Sequence, residues 1–231
     1  MKQIYIFIII LILSNSIWGQ FNAGASGMIL FPQGEFKESL KENGYGISVN
    51  GMYHFNESPF SLGVNAGWAR YGSETRTETL LWPVQVEVTT ANDIAFAQLF
   101  GRVEYNFYCL KPYAEVQFGF NYLNTNTEIS DVDEYPFDNI AGDTQFDDFN
   151  IGYGLAVGAL VEIYDNQNIK SPIDKIFLDF KMNYTIGGKA EYLKEGDLTR
   201  GTNGEILLNK SQSDIDYMTI QVGINFQFNA E

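Results

Sequence analysis

The sequence predicts an all-β protein, an eight-stranded antiparallel up-and-down β-barrel that spans a membrane. Three observations predict this fold. Polar and apolar residues alternate in eight segments between Phe21 and Phe228, which is the period of a strand with two different faces. The connections between these segments are short and long in turn, as a transmembrane barrel requires. Aromatic residues make up 15% of the chain, which also has 22 Gly, a composition that favours β-structure.

Each predicted strand has apolar residues at every second position and small, polar or charged residues between them. Leu99 and Val103, for example, alternate with Gln98 and Arg102. This pattern is typical of strands that separate two environments. The predicted strands are 21–31, 44–55, 60–71, 94–107, 113–123, 150–164, 176–186 and 218–228.

The connections are of two kinds. Those at 56–59, 108–112 and 165–175 are short, whereas those at 32–43, 72–93, 124–149 and 187–217 are longer and polar. Several loops of this length argue against a compact soluble domain but are expected at the outer end of an outer-membrane barrel. Segments 80–82, 84–88 and 206–208 are apolar enough to extend strand pairs above the membrane. A projecting rim of this kind can pair with a strand of a partner protein.

The N-terminus has the three parts of a secretory signal peptide. Lys2 supplies the positive charge, residues 4–13 are apolar, and small or polar residues follow at Ser14, Ser16 and Gly19. The apolar part is too short to span a bilayer. We therefore expect a signal peptide at 1–19 and the barrel at 20–231, with cleavage after Gly19 and cleavage after Ser16 as the alternative. No linker or second domain is expected after the last strand.

Charge and cysteine content exclude some classes of function. The formal net charge is −15, which argues against nucleic-acid binding because a phosphate backbone needs a basic surface. Cys109 is the only cysteine, so no disulfide forms within the chain. It lies in a short connection without a nearby histidine, and we interpret it as chemically passive.

Alternation alone does not say which face is inside, and a soluble lipocalin-type barrel has the same period with its apolar face inward. Three features favour the apolar face outward. The other face mixes small residues with amides and charges, as a narrow filled lumen needs. A signal peptide is present without a spanning helix. Aromatic residues also gather at strand ends, as in interfacial girdles. One predicted girdle is Tyr53, Phe55, Phe60, Tyr105, Phe107, Tyr113, Tyr164, Phe226 and Phe228, and the other is Trp68, Tyr71, Tyr122 and Tyr184.

The last strand carries a recognisable pattern. Residues 221–228 read Gln-Val-Gly-Ile-Asn-Phe-Gln-Phe, which resembles the C-terminal signal that the assembly machinery of outer-membrane barrels recognises. Its key positions are Gln221, Gly223, Phe226 and Phe228. With this signal, the chain resembles the small OmpA/OmpX-like outer-membrane β-barrel proteins. The resemblance implies location in a bacterial outer membrane, insertion among its lipids and contact with the barrel-assembly machinery.

Six charged residues fall on the predicted lumen face: Arg102, Glu104, Glu115, Glu162, Asp179 and Lys181. Arg102 and Glu115 are predicted on neighbouring strands, and Glu162 is predicted on the strand next to that of Asp179 and Lys181. A charge in a narrow barrel needs a partner, because stranding it costs several kcal/mol. We interpret the six as an ion-paired filling of the lumen. The alternative is a gate, or a path for protons or ions, that opens when partners exchange.

No catalytic, cofactor or metal site is predicted. His54, the only histidine, is expected to face the lumen at the end with short turns. Ser48 shares its face but lies about 20 Å away at the usual strand rise, beyond the reach of proton transfer. The acidic segment 124–149 contains an Asp-x-Asp-Glu run at 131–134, and ordering by Ca²⁺ is a hypothesis for it. The glycines of segment 187–217 lack the Gly-Lys-Ser/Thr end of a phosphate loop.

The expected function is structural or surface-interacting, with a lumen that side chains largely fill. Its partners are expected at segments 72–93, 124–149 and 187–217. The first alternative is a narrow channel for small or apolar solutes, as in OmpW-like relatives, and the second is an outer-membrane lipid-modifying enzyme. A soluble ligand-binding barrel remains a further alternative.

Overall fold

The computed structural model describes residues 19–40, 43–55, 58–81, 84–131, 139–166, 172–192, 198–200, 206–208 and 210–228. Eight antiparallel strands close into a barrel. The predicted fold class is therefore confirmed. The expected signal peptide lies almost entirely outside the described residues. No described residue belongs to a helix that is long and apolar enough to cross a membrane.

The barrel strands are joined in sequence by antiparallel hairpins, and the last pairs with the first to close the wall. The strands of the wall are β1 (Gly19–Pro32), β2 (Gly44–Phe55), β3 (Phe60–Leu81), β4 (Val84–Glu104), β5 (Leu110–Asp131), β6 (Asn139–Asp165), β7 (Ile173–Gly187) and β12 (Tyr217–Phe228). Short elements between them are α1 (Gly34–Ser39), β8 (Lys189–Tyr192), β9 (Leu198–Arg200), β10 (Ile206–Leu208) and β11 (Ser211–Asp214).

The barrel wall is apolar outside and polar inside at mid-height. Val64, Leu99 and Phe118 are more than half exposed, whereas Asn65, Gln98 and other polar side chains between such residues are buried. This arrangement is the inverse of a lipocalin-type barrel, which keeps its apolar face inward. The prediction of an outward apolar face is confirmed.

Two of the predicted long loops are strands. Segments 72–93 and 124–149 lengthen β3, β4, β5 and β6, which stay paired out to Leu81↔Val84 and Ser130↔Asn139. On either side the barrel pairing stops earlier, at Tyr45↔Arg70 and Gly152↔Gly187. The four strands therefore project from the wall as one sheet, which we call the blade (residues 72–81, 84–92, 124–131 and 139–148). Ten residues of strand are about 33 Å long.

The predicted loop 187–217 is also partly strand, since β8 pairs with β11 and β9 with β10. The expectation of strand structure at 206–208 is confirmed. Segment 32–43 contains α1, a six-residue helix. We call this side of the barrel the long-hairpin end and the other side the short-turn end. At the latter, one hairpin is closed by only Tyr108 and Cys109, with Tyr108 at a φ of 54°.

Candidate functional site

The centre of the lumen is filled by an ion-paired network. Arg102 on β4 lies opposite Glu115 on β5, and its Nε and Nη2 lie 2.8 and 2.6 Å from Glu115 Oε1. Lys181 Nζ on β7 donates to Glu115 Oε2 at 3.3 Å, and Gln117 Nε2 donates to the same oxygen at 2.7 Å. The side chains of Arg102 and Glu115 are fully buried. One carboxylate thus holds together three strands across the lumen.

Tyr113 joins Asp179 to this network. Its hydroxyl donates to Asp179 Oδ1 at 2.7 Å, and the Arg102 guanidinium carbon lies 3.8 Å from the centre of its ring. The placement of Tyr113 in an interfacial girdle was therefore wrong. Tyr113 and Glu115 are two residues apart on one strand, so their side chains share the inner face. Period-two alternation applied strictly would have found this residue.

The central network balances its own charge. It holds two cations, Arg102 and Lys181, and two acidic residues, Glu115 and Asp179. A buried charge without a partner is far more costly than a matched pair, which explains why the four lie together. The side chains of Arg102, Glu115 and Lys181 are at most 3% exposed.

Glu104 and Glu162 do not belong to the central network. Glu162 lies on β6, the strand next to the β7 of Asp179 and Lys181, as expected. Its own position is opposite Phe177, and it pairs with Lys175 Nζ at 2.9 Å rather than with either of those residues. A register shift on β6 between Glu162 and Tyr164 marks the end of regular pairing here. Glu162 is therefore part of the mouth at the short-turn end.

Glu104 lies near His54 at the same mouth. His54 Nδ1 lies 2.9 Å from Ser61 Oγ and 3.6 Å from Glu104 Oε1. Sequence reasoning considered only Ser48, whose hydroxyl instead donates to Gln221 at 3.1 Å. It missed Ser61 because the strand pairing, in which His54 lies opposite Ser61, sets that contact. The same ring nitrogen faces both Ser61 and Glu104, whereas a catalytic triad uses the two nitrogens separately.

A second seal lies at the long-hairpin end. Phe36 of α1 is fully buried and lies edge-on to Tyr71 and Tyr192, with ring centres 5.5 and 5.2 Å away. The backbone N–H of Gln33 donates to the Asp216 carbonyl at 2.8 Å, and Gly187 N–H donates to the Asp216 carboxylate at 3.1 Å. The first bond ties the residue before α1, and the second ties the end of β7, to the residue before β12. We call the buried apolar cluster around Phe36 the plug: Met28, Leu30, Phe36, Ala69, Tyr71, Ile94, Phe96, Leu123, Ala190, Tyr192, Ile215 and Tyr217.

The plug corrects two expectations. Tyr71 was placed in the outer girdle, but it is 2% exposed and faces inward. The inner face was expected to be polar along its length, but near the long-hairpin end it is apolar. No alternation rule predicts this change, because the plug forms from residues of the wall and of α1 and β8, which only the fold brings together.

Three inward aromatic rings each lie opposite an inward glycine. Phe100 faces Gly63, Phe96 faces Gly67, and Tyr113 faces Gly158 in the strand register. In each pair a Cβ added to the glycine would overlap the ring. The glycines therefore make room for large side chains in a lumen too narrow for two full residues.

The four residues of the expected assembly signal lie on β12, which closes the barrel against β1. Gln221 is buried and faces the lumen, where its side chain accepts from Ser48. Phe228 lies on the outer side with its ring centre 5.9 Å from that of Phe21. The role of these residues in assembly stays a prediction.

The remaining sequence hypotheses concern metals and the single thiol. Among the described residues, no group of three or more His, Cys, Asp or Glu side chains is arranged to hold a metal ion. The run at 131–134 proposed for Ca²⁺ lies outside the described residues except for the backbone of Asp131. Cys109 is an exposed free thiol.

These features define a class of protein: a membrane-spanning barrel with an apolar outer belt and a filled, ion-paired lumen. The family model of the outer membrane protein beta-barrel domain matches residues 13–228. The chain belongs to this family of bacterial outer-membrane proteins.

Solved structures show a likeness in fold. The chain is 11% identical to the Neisserial surface protein A, with a TM-score of 0.49, covering 90% of this chain and 97% of that one. It is 12% identical to a major outer membrane protein of Thermus thermophilus, with a TM-score of 0.42 and coverages of 90% and 99%. It is 13% identical to Ail of Yersinia pestis, with a TM-score of 0.38 and coverages of 91% and 97%. No curated protein matches the sequence.

Proposed function

We propose that this protein is a closed outer-membrane barrel that serves for surface interaction rather than for solute flow. The observation that carries the proposal is that buried side chains of different chemistry occupy the lumen at two heights. The Arg102–Glu115–Lys181 network fills the centre, and the plug around Phe36 fills the long-hairpin end. An eight-stranded barrel is just wide enough for side chains to fill.

The blade supports the interaction role. The base of its β6 edge is covered, since Gly188 N–H donates to the Ile151 carbonyl and Glu191 N–H donates to Asp148 Oδ2. Its β3 edge, residues 72–81, has β4 as its only strand partner in the part of the chain that the structure describes. An unpaired edge offers main-chain hydrogen bonds to an extended segment of another protein. Residues 124–149 add eight acidic residues and no Lys or Arg, which favours a basic partner.

The test of the closed lumen is single-channel conductance of the refolded protein in a planar bilayer, with insertion verified by protease protection. We expect inserted protein without steady conductance. Steady conductance of the unaltered protein would instead support a narrow channel. The only feature that favours this second candidate is that the Glu115 carboxylate serves both Arg102 and Lys181, so that an exchange of partners would change the network.

The test of surface interaction is photo-crosslinking on intact cells from Thr75 or Thr77, both exposed on the β3 edge. We expect these positions to capture a partner chain that a crosslinker at Phe107, at the short-turn end, does not capture. Equal products from all three positions, or none from the blade, would contradict the role.

A lipid-modifying enzyme and an apolar-solute channel gain no support from the geometry. The His54 cluster does not have the geometry of a triad, and the β1–β12 pairing runs continuously from Asn22 to Pro32. A lateral opening would need a gap in such pairing.

A further inference from the structure

The outer wall has a groove at mid-height across β3, β4 and β5. Its volume is about 230 Å³, and the surface that it exposes is entirely apolar. The side chains around it are Val64, Ala66, Ala97, Leu99, Phe118 and Phe120. Ala66 and Ala97 are cross-strand partners and form its floor. Larger side chains form the next row on the short-turn side, where Val64 pairs with Leu99 and Leu99 pairs with Phe118.

Two aromatic residues form the next row of the wall, between the groove and the long-hairpin end. Trp68 and Tyr122 each lie opposite Ala95, so that a third alanine lies between two large rings. Trp and Tyr prefer the level of lipid headgroups. The groove therefore lies in the hydrocarbon region, next to the residues of the headgroup level on the same face.

The Arg70 guanidinium lies on the long-hairpin side of this groove. Ala66, Trp68 and Arg70 lie on the outer face of β3 at every second position, which places Arg70 about 13 Å above Ala66. Asp93 accepts from Arg70 Nε at 2.8 Å and from Nη2 at 3.2 Å, and the guanidinium lies 5.6 Å from the centre of the Trp68 ring. Asp93 is 5% exposed and Arg70 46%. The carboxylate is thus covered while the cation it orients faces outward.

We propose that this face binds one membrane lipid, with an acyl chain in the Ala66–Ala97 groove and an anionic phosphate headgroup at Arg70. The groove is smaller than sites for drug-sized ligands and is open along its length, which suits a linear chain. A second barrel fits less well, because its convex wall would not reach a floor of two alanines. Arginine presents donors in a fork that matches phosphate oxygens. Lipid binding at this face needs only that the barrel lies in a membrane, as its family does, and that the groove and Arg70 are in place. It does not depend on the proposed role in surface interaction.

Trp68 provides the assay, since it lines the site and the chain has only two other tryptophans, Trp18 and Trp82. A W18F/W82F protein is refolded into vesicles that contain brominated phosphatidylglycerol or brominated phosphatidylcholine at increasing mole fraction. Quenching of Trp68, relative to the same lipid without bromine, gives the relative association constant. We expect the anionic lipid to be preferred about fivefold, the effect of one basic residue near an anionic headgroup.

Three variants separate the two parts of the site. R70Q should remove the headgroup preference, and R70K should keep part of it. A97L should fill the floor and lower the association of both lipids, while Trp68 stays in place. The matched control is W68F/I220W, which puts the reporter on β12, on the other side of the barrel, where we expect no preference.

Equal association of both lipids with Trp68 would overturn the proposal. So would a preference that survives R70Q, or one of the same size at position 220, since either result would mean general attraction to the anionic membrane. Unchanged association of both lipids in A97L would exclude the groove as the binding place of the acyl chain.

Discussion

Tyr113 lies directly opposite Gly158 in the pairing of β5 with β6, and its ring occupies the space that a side chain at Gly158 would need. The same ring stacks on Arg102 and bonds to Asp179. A wall position without a side chain thus supports the central charges of the lumen.

Gly158→Ala should therefore destabilise the barrel by about 1–3 kcal/mol, as overpacking of a filled interior does. The added Cβ meets both the Tyr113 ring and the Phe180 carbonyl, so a ring movement alone does not relieve it. Urea unfolding in lipid vesicles measures the change. Gly27→Ala is the matched control, because nothing lies within 4 Å of a Cβ at that position. If both variants have the same free energy of unfolding, the packing of the Tyr113 ring does not depend on a glycine at position 158.

Arg102→Ala should cost on the order of 3–5 kcal/mol, since it leaves a buried carboxylate short of its main partner. Glu115→Ala should cost a similar amount. The double variant should cost clearly less than the sum of the two, because it removes both members of the pair. Lys175→Ala is the control for an ion pair at the mouth, where the partly exposed partners should contribute less than about 1 kcal/mol. If the losses of stability at positions 102 and 115 are additive in the double variant, Arg102 and Glu115 do not stabilise the barrel as a pair.

Phe36→Ala should open the plug without opening the lumen. We expect faster hydrogen exchange in α1 and no conductance, since the central network remains in place. Only the Phe36→Ala/Arg102→Ala double variant should conduct, because it weakens both seals. Lys37→Ala, at an exposed position of the same helix, is the control. Conductance of Phe36→Ala alone would show that the central network is not a seal.

Phe228→Ala should lower the amount of barrel assembled in the outer membrane, if the C-terminal pattern is recognised during assembly. Phe21→Ala removes the same ring pair but leaves the pattern intact. Comparing the folded fraction in cells with the unfolding stability in vesicles separates recognition from stability. Equal assembly of both variants at equal stability would mean that Phe228 acts only through its contact with Phe21.

The sequence by itself determined the closed barrel, the number of its strands and the outward apolar face. It could do so because a strand that separates lipid from a packed lumen must alternate apolar and polar residues, and this alternation is visible in the sequence. It also placed Arg102 and Glu115 on neighbouring strands. It also placed Glu162 on the strand next to that of Asp179 and Lys181, but it did not identify Lys175 as the ion-pair partner, because alternation gives the face of a residue but not its height against the next strand.

Only the tertiary structure decided the register, and with it the contacts between strands. Three features depend on register: the pairing of His54 with Ser61, the glycines opposite Phe96, Phe100 and Tyr113, and the Ala66–Ala97 groove. Strand extension was expected at 80–82 and 84–88, and it is confirmed for the described residues of these segments. The rest of the blade was not predicted as strand, because polar, threonine-rich strands surrounded by water need no apolar face. The plug joins Phe36 to Tyr71 and Tyr192 across long stretches of chain, and no local pattern records a contact that closure of the barrel creates.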